Sequence, residues 1–431
     1  MTAPRAVWAA SAVFAAVFGA ASILRHRAFG SGRFDLGNMT QAVWSTANGD
    51  VLSVTDVHGE QISRLGAHFD PILAALAPLW WLWPSPELLL AVQAVAVAAG
   101  ALPVFLLARR HVGAEWPAAA LAAAYLLYPP VHWLTVSDFH PVALACPLLL
   151  FAWWQLDERR LWTFALLAAA AVAAKEHVGL AVAALGVWYA VRHRAPRAGA
   201  AIAVVGAAAA LAAVLVVVPH FAPDGGSAFE SRYDSPALEG RDLSYLASLL
   251  LPLALVPLAA PVALLVAFPE LALNVLSSTA TQTSVRTHYA ATAIPALLAA
   301  TAFGAARIGA RSAYAVALAA VVATAALGPL GRIDLSSGPR DAAARRALAL
   351  VPDDAPVSAT NALGAHLSAR SRIFSFPVLR EAEWVVVDER RLTYLDSLEP
   401  GPARAALAAL RADPAWRLAF AESGVLVFRR R

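Results

Sequence analysis

Long apolar runs alternate with short charged interruptions along most of the chain. The first run, residues 6–24 (AVWAASAVFAAVFGAASIL), has the length of a membrane span and is closed by Arg25, His26 and Arg27. Ten more follow at 86–108, 117–134, 142–156, 161–174, 178–191, 198–218, 243–258, 261–276, 290–306 and 312–329. The stretch 71–83 (PILAALAPLWWLW) is shorter, rich in Trp and bounded by Pro71 and Pro84, which predicts an interfacial or re-entrant element instead of a span. Ala20, Ala21 and Ser22 imitate a signal-peptide cleavage site, but the run exceeds a usual signal core and many spans follow, so an uncleaved anchor is expected. Residues 1–331 therefore read as a mainly α, polytopic helical membrane domain of about eleven spans, with a long first outward loop over 28–70.

The pattern changes near residue 332. PVSAT (356–360), EWVVVD (383–388) and Val425–Phe428 are short β-prone runs, and 402–412 (PARAALAALRA) is helical by composition, closed by Asp413 and Pro414. Residues 332–431 read as a small soluble α/β domain with room for one modest core.

Composition sharpens this division. Apolar residues make up 60% and charged residues 14%, which excludes an ordinary soluble protein. The last hundred residues hold 15 Arg and 12 acids, leaving 35 charged residues for the first 331. The formal charge of +4 does not argue for a nucleic-acid partner, because Arg in membrane proteins gathers in cytoplasmic loops, and none is expected. The single Cys146 excludes an intrachain disulfide and a Cys-based metal site.

Counting spans from a cytoplasmic N-terminus puts Arg109, Arg110, Arg159, Arg160, Arg192, Arg194, Arg197, Arg307 and Arg311 on one side, as cytoplasmic loops require. The loops at 28–70, 135–141, 175–177, 219–242 and 277–289 then face outward, as does the C-terminal domain. The expected location is the cell membrane, multi-pass, with the C-terminal domain extracytoplasmic. Arg25, Arg27, Arg33 and Arg64 run against this orientation, since they fall on the outer side.

The candidate chemistry lies in those outward loops. Lys175, Glu176 and His177 separate two apolar runs of 14 residues, each about 21 Å as helix against a hydrocarbon core near 30 Å, so the triplet should sit recessed below the outer surface. Lys175 is the only lysine beside 32 arginines, which suggests a place where a compact ammonium is wanted. A Lys175–Glu176 pair snorkelling at a helix hairpin is the bland alternative. Asp138 and His140, two apart on a Pro-containing turn, can bond each other, hold a metal or orient a phosphate partner, or Asp138 can simply cap the turn. Asp35 follows the first span. After it Leu36, Met39, Val43 and Trp44 recur at helical spacing and predict a surface-lying helix with its apolar face on lipid. Asp35 is then a carboxylate at headgroup level or a helix N-cap. Arg64, His68 and Asp70 add polar groups before the Trp-rich segment, and Gln282, Arg286, His288 and Tyr289 occupy the loop 277–289, where a guanidinium suits a phosphate.

Several of these pieces resemble a family of bacterial multi-pass proteins catalogued as domain of unknown function 2079. The matching pieces are FDLG (34–37), His68, Phe69 and Pro71, the run PSPELLL with LPVFLLARR (84–110), DFHP (138–141), KEHVGL (175–180), PELALN (269–274) and RTHY (286–289). In the tail, VSATNALGAHLS (357–368) and EWVVVDERR (383–391) match as well, so the resemblance covers nearly the whole chain. Asp70 stands where a Ser-like residue is usual, and His177 where an acid is. The family in turn resembles the C superfamily of membrane glycosyltransferases, which take a sugar from a polyprenyl-phosphate carrier on the outer side of the membrane. The resemblance implies such a fold, a polyprenyl-phosphate-linked sugar donor, and an extracytoplasmic glycan or protein acceptor. It also implies Asp35 as the acidic residue of the first outward loop, acting as general base or, in metal-dependent members, as metal ligand. Inverting transfer needs a base on the acceptor hydroxyl and cations on the departing lipid phosphate. Asp35 suits the first role and Lys175 with Arg286 the second. Glu176, Asp138 and His140 would orient these groups, with His68, His288 and Tyr289 beside them. The cofactor is left open, a divalent cation on Asp35, Asp138 and Glu176 being one reading. Two rival readings are a transporter or lipid flippase, which would favour matching halves that the runs do not display, and a non-catalytic membrane scaffold.

The orientation is testable by cysteine accessibility after replacing Cys146. A cysteine placed in the C-terminal domain is expected to label in intact cells, and labelling only after permeabilisation would refute the count of spans.

Overall fold

The computed structural model describes residues 2–223, 225, 230–233, 239–392, 396 and 403–431. It is mainly helical, with a membrane-type bundle and a small C-terminal sheet domain. Among the described residues three helices are long and apolar enough to cross a bilayer: Ala3–Arg27, Pro86–Val112 and Pro196–Phe221. A fourth unit, Glu115–Leu126 with Pro129–Val136, passes that test as a pair bent by 47°. The bend falls at Pro129 and Pro130, whose rings cannot continue the hydrogen-bond ladder.

The other apolar runs form shorter helices at Val142–Asp157, Leu161–Val172, Val178–Arg192, Pro261–Leu276, Ala293–Ile308 and Ser312–Leu327. The run 243–258, expected as one span, is not a single helix. It divides into a helix at Gly240–Leu250 and 3-10 turns at Leu251–Leu253 and Val256–Ala259, with Ala254 and Leu255 at φ of 52° and 57° between them. Pro252 and Pro257 open the two turns, and each removes a donor that a continuous helix would need.

The bundle core mixes many alanines with large side chains such as Phe105, Tyr125 and Trp153, and one helix pair is joined through glycine. The helices Val178–Arg192 and Pro196–Ala212 pack backbone to backbone along Gly179, Gly186, Gly199 and Gly206. A Cβ on Gly186 would lie 2.4 Å from the Ala203 nitrogen, and one on Gly206 2.5 Å from that of Ala183. Only 22% of the most apolar window of the outer helix is buried, so this glycine seam is its main attachment.

The helices define two ends. At one, Arg110, His111 and His193 surround the buried Asp157 at 3.0, 2.8 and 3.8 Å, which gathers the loops after residues 112, 157 and 192. At the other lie the long first loop, the turns at 137–141 and 173–177, and the sheet domain. The first loop contains a two-stranded antiparallel ribbon, β1 (Ser53–Thr55) and β2 (Gln61–Ser63). Its helix Asn38–Ala47 is present as expected, but its apolar face is not on lipid. Leu36, Met39 and Val43 are buried against Leu73, Trp80, Leu89 and Phe139, so protein covers them. The Trp-rich element is the short Pro71–Leu76 turn and the Ala77–Trp80 helix, ending in the exposed Trp81, Leu82 and Trp83.

The described residues of the C-terminal domain form five strands, β3 (Val357–Ala359), β4 (Ile373–Ser375), β5 (Trp384–Asp388), β6 (Trp416–Glu422) and β7 (Val425–Arg430), in the order β4-β3-β5-β7-β6. β3 runs parallel to β4 and β5, while β5–β7 and β6–β7 are antiparallel. Helices Pro339–Leu348 and Ala403–Ala412 pack on the sheet; position 402, expected to open the second helix, lies outside the described residues. Strands β4 and β6 and the helix Pro339–Leu348 add to the elements expected from sequence.

Gly186→Val should force the hairpin apart and lower stability by about 1–3 kcal/mol, read as a drop in thermal unfolding temperature of the detergent-purified protein. A fully retained unfolding temperature would show that the seam does not hold the outer helix.

Candidate functional site

The loop that follows the first helix enters a single π-helical turn, Arg33–Gly37, which carries Asp35. Four ties fix this turn. The fully buried Arg33 guanidinium donates to the Thr55 carbonyl at 2.6 Å and to the Ile373 carbonyl at 2.8 Å, joining the turn to β1 and to β4 of the C-terminal domain. The Phe34 N–H donates to Asn361 Oδ1 at 3.3 Å, and the Gly32 N–H to Asp138 Oδ2 at 2.7 Å. Asp138 also accepts from Arg25 at 2.6 Å, so it is neither a bare turn cap nor a free ligand. Asp35 itself caps nothing and its side chain stays 50% exposed, which leaves one face open to a substrate.

His140 reaches Asp35 from the neighbouring turn. Its Nδ1 lies 2.7 Å from the Asp138 carbonyl, which can only accept, so that nitrogen carries a proton. Its Nε2 is 3.3 Å from Asp35 Oδ1, and this second bond exists only when one proton is shared between ring and carboxylate. Burial pushes the Asp35 carboxyl up, but the His140 bond and charge, with Arg25 and Arg64, outweigh it and hold the group below its ordinary range. The His288 ring stacks on His140 at 3.6 Å and touches Tyr289 at 4.2 Å. Burial, with the Lys175 charge adding to it, keeps His288 neutral, well below the usual histidine value.

The Lys175 triplet completes the cluster. The flanking helices Leu161–Val172 and Val178–Arg192 are short, and Lys175, Glu176 and His177 are all largely shielded, as the recessed position requires. Glu176 accepts from His68 Nδ1 and from the Phe69 N–H, both at 3.1 Å, and lies 3.7 Å from Lys175 Nζ. Burial raises the Glu176 carboxyl, yet Lys175 and His68 hold it well below the carboxylate range. Its oxygens are therefore engaged, which makes it an anchor for Lys175 and His68 more than a free base. Burial pushes Lys175 down, partly offset by Glu176 and Asp70. His177 pairs with Glu270 at 3.1 Å, and Glu270 accepts from Thr292 at 2.5 Å. Asn274 donates to the Tyr289 carbonyl at 2.7 Å, so the PELALN and RTHY segments brace one another.

Asp35, Asp138, His140, Lys175, Glu176, His68, His288 and Tyr289 thus share one end of the bundle. Arg286 is exposed and lies over the Trp133 ring at 5.8 Å, outside this packing. Arg232 takes the nearer place, with Nη1 3.3 Å from Tyr289 Oη and its charge felt at Lys175. Asp70 forms a buried pair with Arg64 at 2.8 Å. Arg232, Arg25, Glu270 and Asn361 were not anticipated. Arg25 had a signal, a cation at the wrong end of a span, whereas Arg232 stood in a loop with no local pattern. The three carboxylates do not fit one divalent ion, since Asp35, Asp138 and Glu176 turn to separate partners. Among the described residues no three His, Cys, Asp or Glu side chains converge as a ligand set.

A family described as predicted membrane protein, DUF2079, matches residues 25–427. The fold is similar to that of ArnT from Cupriavidus metallidurans in a crystal structure bound to undecaprenyl phosphate. The TM-score is 0.61 at 14% identity, covering 97% of each chain. The apo ArnT structure from the same organism gives 0.58 at 14% identity, covering 91% of this chain and 93% of that one. A search of curated proteins finds no match.

His68 supplies a pH test. Burial, with Lys175 nearby, lowers its value from 6.5 to about 3, so the unfolded chain binds a proton that the folded chain refuses. Its stabilising effect is complete above pH 6.5 and is lost as pH falls toward 3. His68→Gln, which can still donate to Glu176, should flatten this part of the stability profile in unfolding measured across that range; an unchanged slope would mean that His68 protonates without cost.

Proposed function

Since the chain belongs to the DUF2079 family of predicted membrane proteins, we propose that it transfers a sugar from a polyprenyl-phosphate carrier to an acceptor hydroxyl outside the cell membrane. The observation that carries this reading is the half-exposed Asp35 carboxylate, oriented by His140 and set at the same end of the bundle as Lys175 and Arg232. A fold shared with an enzyme crystallised on undecaprenyl phosphate supports the carrier class. In this reading the arginine-rich end is cytoplasmic and the cluster lies outside, where nucleotide sugars are absent.

In this reading each residue of the cluster has a role. Asp35 takes the proton of the acceptor hydroxyl as its oxygen bonds to the anomeric carbon, while the bond from that carbon to the carrier phosphate breaks. The electron pair leaves with the phosphate, whose growing charge is met by Lys175 and Arg232. His140 holds Asp35 in its rotamer and His288, kept neutral, packs the ring from behind. Glu176 and His68 hold the ammonium in place. A sugar or glycan hydroxyl and a protein hydroxyl both suit the acceptor side.

The test uses nanodisc samples, with sugar transfer from a polyprenyl-phosphate donor and donor binding measured separately. Asp35→Asn keeps the shape but accepts no proton, so turnover should fall roughly 10²- to 10⁴-fold while donor binding survives. Lys175→Met should lower donor affinity together with turnover. Full transfer by Asp35→Asn rejects Asp35 as base, and a wild type that neither binds nor consumes such donors rejects the reading.

A further inference from the structure

We propose a second lipid site at the opposite end of the bundle, which binds the phosphodiester headgroup of an anionic phospholipid between Arg109, Arg110 and Arg160. These three residues line a cavity of ≈ 330 Å³ with Leu106, Trp154 and Glu158. The helix Pro86–Val112, 27 residues long, separates it from the Asp35 cluster, so the two sites meet opposite faces of the membrane.

The charge around this cavity is unbalanced. Arg110 is engaged by Asp157 at 3.0 Å and by Glu158. The Arg109 guanidinium lies over the Phe105 ring at 5.5 Å, and neither Arg109 nor Arg160 has an ion pair with a carboxylate among the described residues. Three guanidiniums against the carboxylates of Asp157 and Glu158 leave one net positive charge at the cavity, which one phosphodiester anion would neutralise, and the planar fork of arginine suits phosphate oxygens.

The walls select a lipid over a soluble phosphate. Leu106 and Trp154 form the apolar part of the lining, and the helix that begins next to Arg160 exposes Leu161 at 43%, Trp162 at 85% and Leu166 at 68%. Trp8, Trp116 and Tyr314, which open other helices at this end, are also exposed, an aromatic girdle of the kind that marks the headgroup level. A ligand with an anionic head and an apolar flank fits both features. Basic pockets between helices on the cytoplasmic side recognise headgroups in this way.

The experiment compares the full chain in phosphatidylcholine nanodiscs with and without phosphatidylglycerol, using native mass spectrometry of retained lipid and thermal unfolding. Wild type should retain phosphatidylglycerol in preference to phosphatidylcholine and unfold at a higher temperature with it. Inorganic phosphate added to phosphatidylcholine discs should leave the unfolding temperature unchanged. Arg109→Gln and Arg160→Gln should each weaken phosphatidylglycerol retention roughly fivefold, and together roughly 25-fold. Arg192→Gln with Arg197→Gln, exposed cations at the same end outside the cavity, should change it less than about twofold. Any of four results overturns the proposal: no lipid preference in wild type, a preference kept by the cavity variants, an equal loss in the Arg192 and Arg197 control, or stabilisation by inorganic phosphate equal to that by phosphatidylglycerol. The single variants keep the test valid if the double variant does not fold. None of these outcomes bears on sugar transfer, so this site stands or falls separately from the reading of the Asp35 cluster.

Discussion

A charge removed from water must be met by a partner, and this rule organises the end of the bundle that carries the candidate site. Breaking one side of a buried pair costs roughly 3–5 kcal/mol, so such pairs restrict how loops can settle. Asp138 accepts from Arg25 and from the Gly32 N–H, which locks the end of the first helix and the start of the π-turn to a turn more than a hundred residues away. Glu176 gathers His68, the Phe69 N–H and Lys175, and Glu270 gathers His177 and Thr292. Each carboxylate joins segments that are distant in sequence. Asp35 stands apart because half of its surface stays open.

The C-terminal domain belongs to the same construction. Arg33 donates to the Ile373 carbonyl and Asn361 accepts from the Phe34 N–H, so the two residues that precede Asp35 in its turn are held by the sheet domain. Gln41 donates to the carbonyls of Arg370 and Ser371 at 3.2 and 3.0 Å, and the His26 and His366 rings stack at 4.0 Å. The loop Thr360–Asn361 leaves the C-terminal end of the parallel strand β3, the edge from which α/β sheets commonly present functional groups. The domain thus acts as a wall that sets the conformation of the π-turn.

Much of this arrangement was legible from local pattern. Apolar runs marked the helices, the short runs around Lys175 end in a turn whose side chains are shielded by protein, and the β-prone runs of the tail became β3, β5 and β7. Where the reading departed from the fold, non-local contacts or single residues decided the outcome. The helix Asn38–Ala47 is amphipathic, and periodicity alone cannot tell whether lipid or Leu73, Trp80 and Phe139 will cover its apolar face. Strand β4 is three residues long and needs the neighbouring β3 to exist, and β6 is mostly exposed at a sheet edge, so neither has a strong pattern of its own. In 243–258, composition suggested a span while Pro252 and Pro257 broke it. Arg232 became part of the cluster only through a tertiary contact with Tyr289.

The four arginines that opposed the proposed orientation are explained by the same pairing rule. Arg25 is bonded to Asp138, Arg27 is bidentate to Glu87 at 2.6 and 2.8 Å, Arg64 is buried against Asp70, and Arg33 is buried on two carbonyls. Arg33 and Arg64 are folded into the protein and Arg25 is largely shielded, while Arg27 stays exposed with its charge offset by Glu87. At the other end Arg109, Arg160, Arg192, Arg194 and Arg197 are exposed, with no carboxylate against them among the described residues. The bias of positive charge toward the cytoplasm acts on cations available to the membrane field, so a count limited to unpaired arginines supports one orientation where the full count was divided. In the proposed orientation the outer end can carry Lys175, Arg232 and the exposed Arg286 for an anionic substrate, while Arg25, Arg27 and Arg64 are each offset there by a carboxylate.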